Sequence, residues 1–394
     1  MRLLHTSDWH LGRSFHGASL LEEQAAALAR IVELAREAEV DAVVIAGDLY
    51  DRAIPPAEAV LLFNDTLAQL RQDGAAVVAI AGNHDSHVRV SIYDPLLAAF
   101  GVTIRGDVRR ADQPVLVQPR RGGTPVAIYP LPYLEPAVDG PWLARGPEGD
   151  SAAPTRLRHE DVTRLALGRI RRDRQGRPDH HAVLVAHTFV AGGQTSESER
   201  ELTLGNVDRV SVEAFAGFDY VALGHLHGSQ QLDGPRVAYS GTPLPYSFSE
   251  QHHTKSVRIV ELDATGNASV ERVPLGVGRK LCTIEGCLEE LCRAPQYADA
   301  EEARVRVVLT DEVLPLQAMA RLHTRFPHVA ELRHRPPEVL RSTASNRNQQ
   351  VREASSPLAL AAAFFADQQG RQANPAEAQL LQEALEAVGR GGER

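Results

Sequence analysis

From residue 1 to about residue 273, short apolar runs alternate with amphipathic stretches, a pattern that predicts a layered sheet with helices on its faces. Residues 3–4, 41–46, 75–81, 182–186 and 220–223 read as strands, each too short and too rich in Val, Ile, Leu and Ala to be a surface helix. Periodic stretches at 20–38, 56–72, 92–100 and 160–172 read as the intervening helices. Residues 237–239, 256–262 and 269–273 predict further strands, antiparallel and closing the domain. No internal repeat interrupts this order.

After Gly276-Val-Gly278 the pattern changes to one strand, helix, strand unit, with strands at 304–309 and 329–335 and a helix at 316–326. About sixty residues are too few for an independent core, so this unit is expected to pack on the first. Residues 337–356 are rich in Ser, Asn, Arg and Gln and read as a linker. Ser356-Pro357 and Asn374-Pro375 then each supply an N-cap and a proline at the first helical position, which predicts two amphipathic helices within 357–394. The expected architecture is α/β: a layered β-sandwich core flanked by helices over 1–275, a small α+β unit over 276–336, the linker, and a C-terminal helix pair.

Composition narrows the function classes. With 43% hydrophobic and 24% charged residues the chain is ordinary globular protein, and a net charge of −9 confines any nucleic-acid contact to local basic surface. Cys282, Cys287 and Cys292 are odd in number and evenly spaced, which fits neither a disulfide framework nor a zinc knuckle and points to a reducing cytoplasm. No leader is expected ahead of the first predicted strand. The longest apolar runs, such as 358–366, fall far short of the ~20 residues of a membrane span, so neither secretion nor membrane insertion is expected. The one unusual count is sixteen histidines, and their positions carry the chemistry.

Five short signals follow five predicted strands, and each offers a metal-binding group: Asp8-Trp-His10, Gly47-Asp48-Leu-Tyr-Asp51, Gly82-Asn83-His84-Asp85, His187, and Gly224-His225-Leu-His227. Taken alone, each is weak, and a histidine that ends an apolar strand is commonly a structural residue. Together they fall at the carboxyl ends of strands, where open α/β sheets bind ligands. Carboxylate, carboxamide and imidazole donors without cysteine suit Mn²⁺ or Fe²⁺, with zinc left open.

The order D-x-H, G-D-x-x-D, G-N-H-D, H, G-H-x-H resembles the calcineurin-like metallophosphoesterases over residues 1–275. The strings His5-Thr-Ser-Asp-Trp-His-Leu-Gly-Arg13, Gly47-Asp-Leu-Tyr-Asp-Arg52 and 239–250 (YSGTPLPYSFSE) resemble the SbcD family of nuclease subunits within that group. The resemblance implies a DNA phosphodiesterase with two divalent cations, most often manganese. By motif, Asp8, His10 and His227 would hold one ion, Asn83, His187 and His225 the other, and Asp48 would bridge them. His84 is placed to serve the leaving oxygen, with Asp51 to orient it. Archaeal and eukaryotic relatives often carry a histidine where Asp51 stands, so no second catalytic histidine is carried over, and Asp51 reads equally well as a loop cap. Trp9, between two candidate ligands, reads as packing.

Outside the cluster, residues 156–177 hold eight Arg against three acidic residues and 321–352 hold seven against two. Either stretch could track DNA phosphates, and either could be a solvated basic face. The segment 56–72 carries Val60, Leu61, Leu62, Phe63, Leu67 and Leu70, more apolar surface than one core-facing stripe uses, and Leu96, Leu97 and Phe100 follow. A two-fold dimer through helices 56–72 and 92–100 is therefore expected. The C-terminal helices carry Leu358, Ala361, Ala362, Phe364, Phe365, Leu381, Leu385 and Val388, too little for a core of their own. The resemblance implies that residues 357–388 dock on the coiled-coil base of an SbcC-type ATPase and that 276–336 help to position duplex DNA. The competing activity is a phosphomonoesterase or protein phosphatase built on the same metal site, because a fold does not fix a substrate.

Overall fold

The computed structural model describes residues 1–145, 157–199, 209–337, 356–369 and 371–391. The chain divides into two compact units, Met1–Cys282 and Thr283–Arg394.

Two six-stranded sheets make up the first unit. One runs Ala268–Pro274, Ser256–Leu262, Arg2–Thr6, Ala42–Ile45, Ala76–Ile80, Val102–Arg105, and its last four strands are parallel. The other runs Gln230–Asp233, Val237–Tyr239, Tyr220–Gly224, His181–His187, Val126–Leu131, Val115–Val117, with the middle four parallel. The two-residue period of a strand sends neighbours to opposite faces. Val44 joins Leu3, Val78, Ile128, Val183 and Ala222 in the layer between the sheets, while Val43 and Ile45 point outward to Ile31, Phe63 and Leu67 on the helices Leu21–Glu37 and Ala57–Gln72. Across the second sheet, Leu184 and Val221 meet Val162, Leu167 and Ile170 of the helix His159–Gln175. Strands buried on both faces need continuous apolar runs, which is why these were readable as strands.

The structure adds one strand to those read from the sequence and breaks up one helix. Val126–Leu131 is a central strand although Pro130 argues against one; Pro130 sits opposite Val185 in a parallel ladder. The single helix expected over 92–100 is instead two short helices, His87–Ser91 and Asp94–Leu97, and a 3-10 turn, Ala98–Phe100. Ser86 caps the first through its Oγ, and Pro95, without an N–H, opens the second rather than extending the first.

The second unit holds a three-stranded sheet in the order Leu281–Gly286, Arg304–Leu309, Val329–His334. Short helices, Leu288–Arg293 and Ala318–His323, bury Leu288, Leu291, Leu322 and Phe326 with Val305, Val307 and Leu309. The strand 281–286 and the helix 288–293 add to the strand, helix, strand unit that the sequence predicts. The expected linker lies almost wholly outside the described residues. Beyond it are helices Pro357–Gln369 and Pro375–Gly391. Ser356 Oγ caps the first, and Asn374 and Glu377 cap the second reciprocally, Asn374 Oδ1 accepting from Glu377 N at 3.0 Å and Glu377 Oε2 from Asn374 N at 2.8 Å. The first helix is not the one-striped helix expected: Leu358, Leu360 and Phe364 are all exposed. Among the described residues no helix is long and apolar enough to cross a membrane.

Candidate metal centre

The parallel strands Arg2–Thr6, Ala42–Ile45 and Ala76–Ile80 of one sheet and His181–His187 and Tyr220–Gly224 of the other end at the same edge of the sandwich. The loops that leave them are bonded to each other. Asp8 N donates to Gly47 O at 3.0 Å, His10 N to Asp48 O at 2.9 Å and His225 N to Asp8 Oδ1 at 3.0 Å. Asp85 ties two of these loops together: its carboxylate accepts from Leu49 N and Tyr50 N at 3.0 Å each and from Gly82 N at 2.9 Å. The approach is close enough to demand glycine twice. A Cβ on Gly47, whose φ is +88°, would lie 2.3 Å from His187 Nδ1, and one on Gly82 would lie 2.1 Å from Asp48 Oδ1.

All seven expected ligands converge. Asp8, His10 and His227 form one group whose donor atoms lie within 4.8 Å of one another; Asp8, Asp48 and His187 form a second and His10, Asp48 and His84 a third. Asp48 Oδ2 stands 3.6 Å from His10 Nε2 and 3.5 Å from His187 Nε2, between the two sides of the cluster. Asn83 Oδ1 faces His187 Nε2 at 2.9 Å and His225 Nδ1 at 3.2 Å. Trp9 is fully buried against Phe63, a packing residue.

The donor set fits cations. His187 Nδ1 donates to the Ala46 carbonyl at 2.9 Å, so its Nε2 carries a lone pair, which is directed at the Asn83 carboxamide. Asp8 Oδ2 and His10 Nδ1 are buried with no hydrogen-bond partner. Burial, and then Asp48, raises the Asp8 carboxyl well above the usual range, and the same two causes push Asp85 up to about 7. Burial holds His10, His187 and His225 below the ordinary histidine value, so their rings are neutral donors. Crowded carboxylates and neutral imidazole lone pairs are unfavourable alone and favourable around divalent metal.

The Asp51 expectation needs one correction. It is the Asp51 carbonyl that meets His84, accepting from Nδ1 at 2.9 Å, while the Asp51 carboxylate stands 3.3 Å from Arg13 Nη1 and 3.8 Å from His10 Nδ1. Carbonyls left by a tight loop are natural partners for a ring N–H, and no sequence pattern distinguishes main chain from side chain here. The sequence also left unassigned Asp85, which stood inside the G-N-H-D string, and Ser198, Glu199, Glu250 and Lys255, which surround His227. Glu250 ends the string 239–250, the one signal that pointed toward it.

Among the described residues, most arginines of the two basic stretches have acidic partners. Arg158, Arg164, Arg169 and Arg177 pair with Asp161, Glu160, Asp112 and Asp173, and Arg321, Arg325, Arg333 and Arg335 pair with Glu289, Glu301, Glu331 and Glu285.

Residues 1–229 match the family model described as calcineurin-like phosphoesterase, and residues 277–369 match the one described as type 5 capsule protein repressor C-terminal domain. The chain is 35% identical over 285 residues to the D subunit of the nuclease SbcCD from Bacillus subtilis (strain 168), covering 71% of each chain. It is 31% identical to the protein of that name in Escherichia coli (strain K12), over 77% of this chain and 75% of the relative. To that of Staphylococcus epidermidis it is 29% identical, over 84% and 85%.

Proposed function

The chain belongs to the calcineurin-like phosphoesterase family as an SbcD-type, metal-dependent nuclease subunit, and we propose that it hydrolyses DNA phosphodiesters with two manganese ions as part of an SbcCD-type end-processing and repair complex. The observation that carries this reading is the convergence of Asp8, His10, Asp48, Asn83, His187, His225 and His227 from both sheets around unpartnered buried acceptors. Asp8, His10 and His227 would hold one ion, Asn83, His187 and His225 the second, and Asp48 would be shared between them. Ions held there would supply the charge that polarises a phosphodiester and lowers the pKa of a water toward neutrality. His84, anchored through Nδ1–H to the Asp51 carbonyl, leaves Nε2 free to serve the leaving sugar oxygen, giving it a proton from the doubly protonated ring and returning to the neutral Nδ1–H form. Through its carboxylate Asp51 pairs with Arg13.

The substrate is DNA as duplex ends, hairpins or single strands, met in the cytoplasm. Residues 1–275 carry the nuclease, 276–336 position the duplex, and 357–388 dock on the coiled-coil ATPase of the SbcC type. The last assignment is supported by exposure: no described residue of 356–385 is buried. Two copies pair through 56–72 and 92–100, where Leu61, Ile92, Tyr93, Leu96 and Phe100 are all exposed. The second unit and the exposed helix pair are parts that a simple phosphomonoesterase does not need. The test is the full chain with Mn²⁺ on linear duplex DNA and, in parallel, on p-nitrophenyl phosphate. DNA cleavage abolished by EDTA is expected; turnover of the small ester with DNA left intact would favour the phosphatase.

A further inference from the structure

Ser198 and Glu250 belong to no ligand motif, yet both act on His227. Ser198 Oγ lies 2.5 Å from His227 Nδ1 and 2.6 Å from Glu250 Oε1. Glu250 is buried, and its carboxylate also accepts from Tyr246 N at 3.1 Å and Ser247 Oγ at 3.0 Å and pairs with Lys255. Lys255 closes the circuit by donating to the His227 carbonyl at 3.0 Å and to Thr242 Oγ1 at 2.7 Å. The Lys255 ammonium, paired directly with the Glu250 carboxylate, makes it the ionised partner of a buried ion pair.

Proton counting then settles the direction of each bond. An ionised carboxylate only accepts, so the single hydroxyl proton of Ser198 goes to Glu250. The other hydroxyl near Ser198 Oγ, that of Ser196 at 3.0 Å, has its own carboxylate acceptor, Glu199 Oε2 at 2.8 Å. The Ser198 oxygen is left as an acceptor facing His227 Nδ1, which must therefore carry the ring proton. Nε2 keeps the lone pair and points to the ligand cluster, 3.1 Å from His10 Nε2. The segment is held there by its own backbone: His227 N donates to Glu199 Oε1 at 2.8 Å and Arg13 Nη2 donates to Ser198 O at 3.2 Å.

We infer that Ser198 and Glu250 are positioning residues for the metal centre: a Glu250, Ser198, His227 relay fixes the Nδ1–H tautomer of His227 and so makes Nε2 the ligand atom. The inference rests on the metal reading proposed above. A metal-bound histidine commonly donates its other N–H to an oxygen that orients the ring, and loss of such a partner typically weakens metal binding ~10–100-fold. Here a serine stands between the ring and the carboxylate.

The test compares full-length wild type, Ser198→Ala and Ser198→Thr by two readouts. Ring ¹⁵N shifts of His227 in metal-free, ¹⁵N-histidine-labelled protein report the tautomer; Mn²⁺ titration reports affinity. Wild type and Ser198→Thr are expected to show Nδ1–H and two sites, while Ser198→Ala shows mixed tautomers and loses ~10–100-fold at one site with the other unchanged. Nε2–H in the wild type, or identical titrations for wild type and Ser198→Ala, would overturn the relay. A wild type that binds no Mn²⁺ overturns the metal reading itself and is told apart from failure of the relay by the ring shifts.

Discussion

Asp8, His10, Asp48 and His225 have φ values of 53°, 45°, 48° and 110°, backbone conformations that residues other than glycine seldom take. Each costs about 1–3 kcal/mol and persists because the surrounding loop bonds over-determine it, as strain at functional sites generally does. Side chains on such a backbone turn inward together, which the i, i+2 spacing of Asp8/His10 and His225/His227 allowed but did not require. His84 is the residue whose role is most open to test, since its ring also comes within ligand reach of His10 and Asp48. His84→Ala should keep both metals and lose ~10²–10⁴ in cleavage rate; metal content measured beside the rate separates proton donor from ligand. His5 predicts a pH effect on stability. Burial, with Arg258 nearby, holds it down to about 3, while its ring bonds Tyr220 Oη at 2.8 Å and the Leu223 carbonyl at 3.1 Å. An unfolded histidine near 6.5 takes a proton that the folded one refuses, so the unfolded state binds more protons between about 6.5 and 3. Stability from this group is full above that window and falls as pH drops through it, at about 1.4 kcal/mol per pH unit for one proton. Urea titrations from pH 7 to 5 should show a slope smaller by about one proton in His5→Gln; an equal slope would contradict it.

At the level of elements, the sequence reads best where both faces are buried. The strands ending before Asp8, Asp48 and Asn83 stood out as apolar runs because nothing polar is tolerated on either side. Val126–Leu131, which the sequence reading does not include, is a strand in which tertiary context accepts Pro130 in a ladder that local chemistry disfavours. The region 92–100 looked like one helix because its apolar residues recur at helical spacing, but Leu96 and Phe100 serve no core and stand 67% and 74% exposed. With Leu61 on the helix Ala57–Gln72, they are what the proposed two-fold contact would cover. Wild type should sediment as a dimer at micromolar concentration and Leu61→Glu/Leu96→Glu as a monomer with unchanged metal content; a monomeric wild type would remove the dimer. The terminal helices make a separate prediction. A chain ending at Pro336 should cleave short substrates nearly as the full chain does and fail to co-purify with the ATPase partner, whereas retained stoichiometric co-purification would place the docking surface elsewhere.

Across the whole molecule, a net charge of −9 seemed to set DNA aside, and the arginine-rich stretches seemed to bring it back. The ion pairs show why neither count decides: the described arginines in both stretches are mostly matched by acidic neighbours, so composition there reflects internal pairing. Motif position says more than composition, because five weak signals at the carboxyl ends of strands come together once the two sheets pack face to face with those ends at one edge of the sandwich. Main-chain partners and the residues around His227 stayed illegible, since they depend on loops meeting in space rather than on spacing along the chain. The proposed hydrolysis at this centre would depend on two ions held together through Asp48. Elemental analysis of purified wild type and Asp48→Ala after Mn²⁺ loading, with linear duplex cleavage on the same samples, tests it most directly. Two ions per chain with cleavage in the wild type, and loss of both ions and of cleavage in a folded Asp48→Ala, is the predicted result; two ions and a near-normal rate in Asp48→Ala would contradict it.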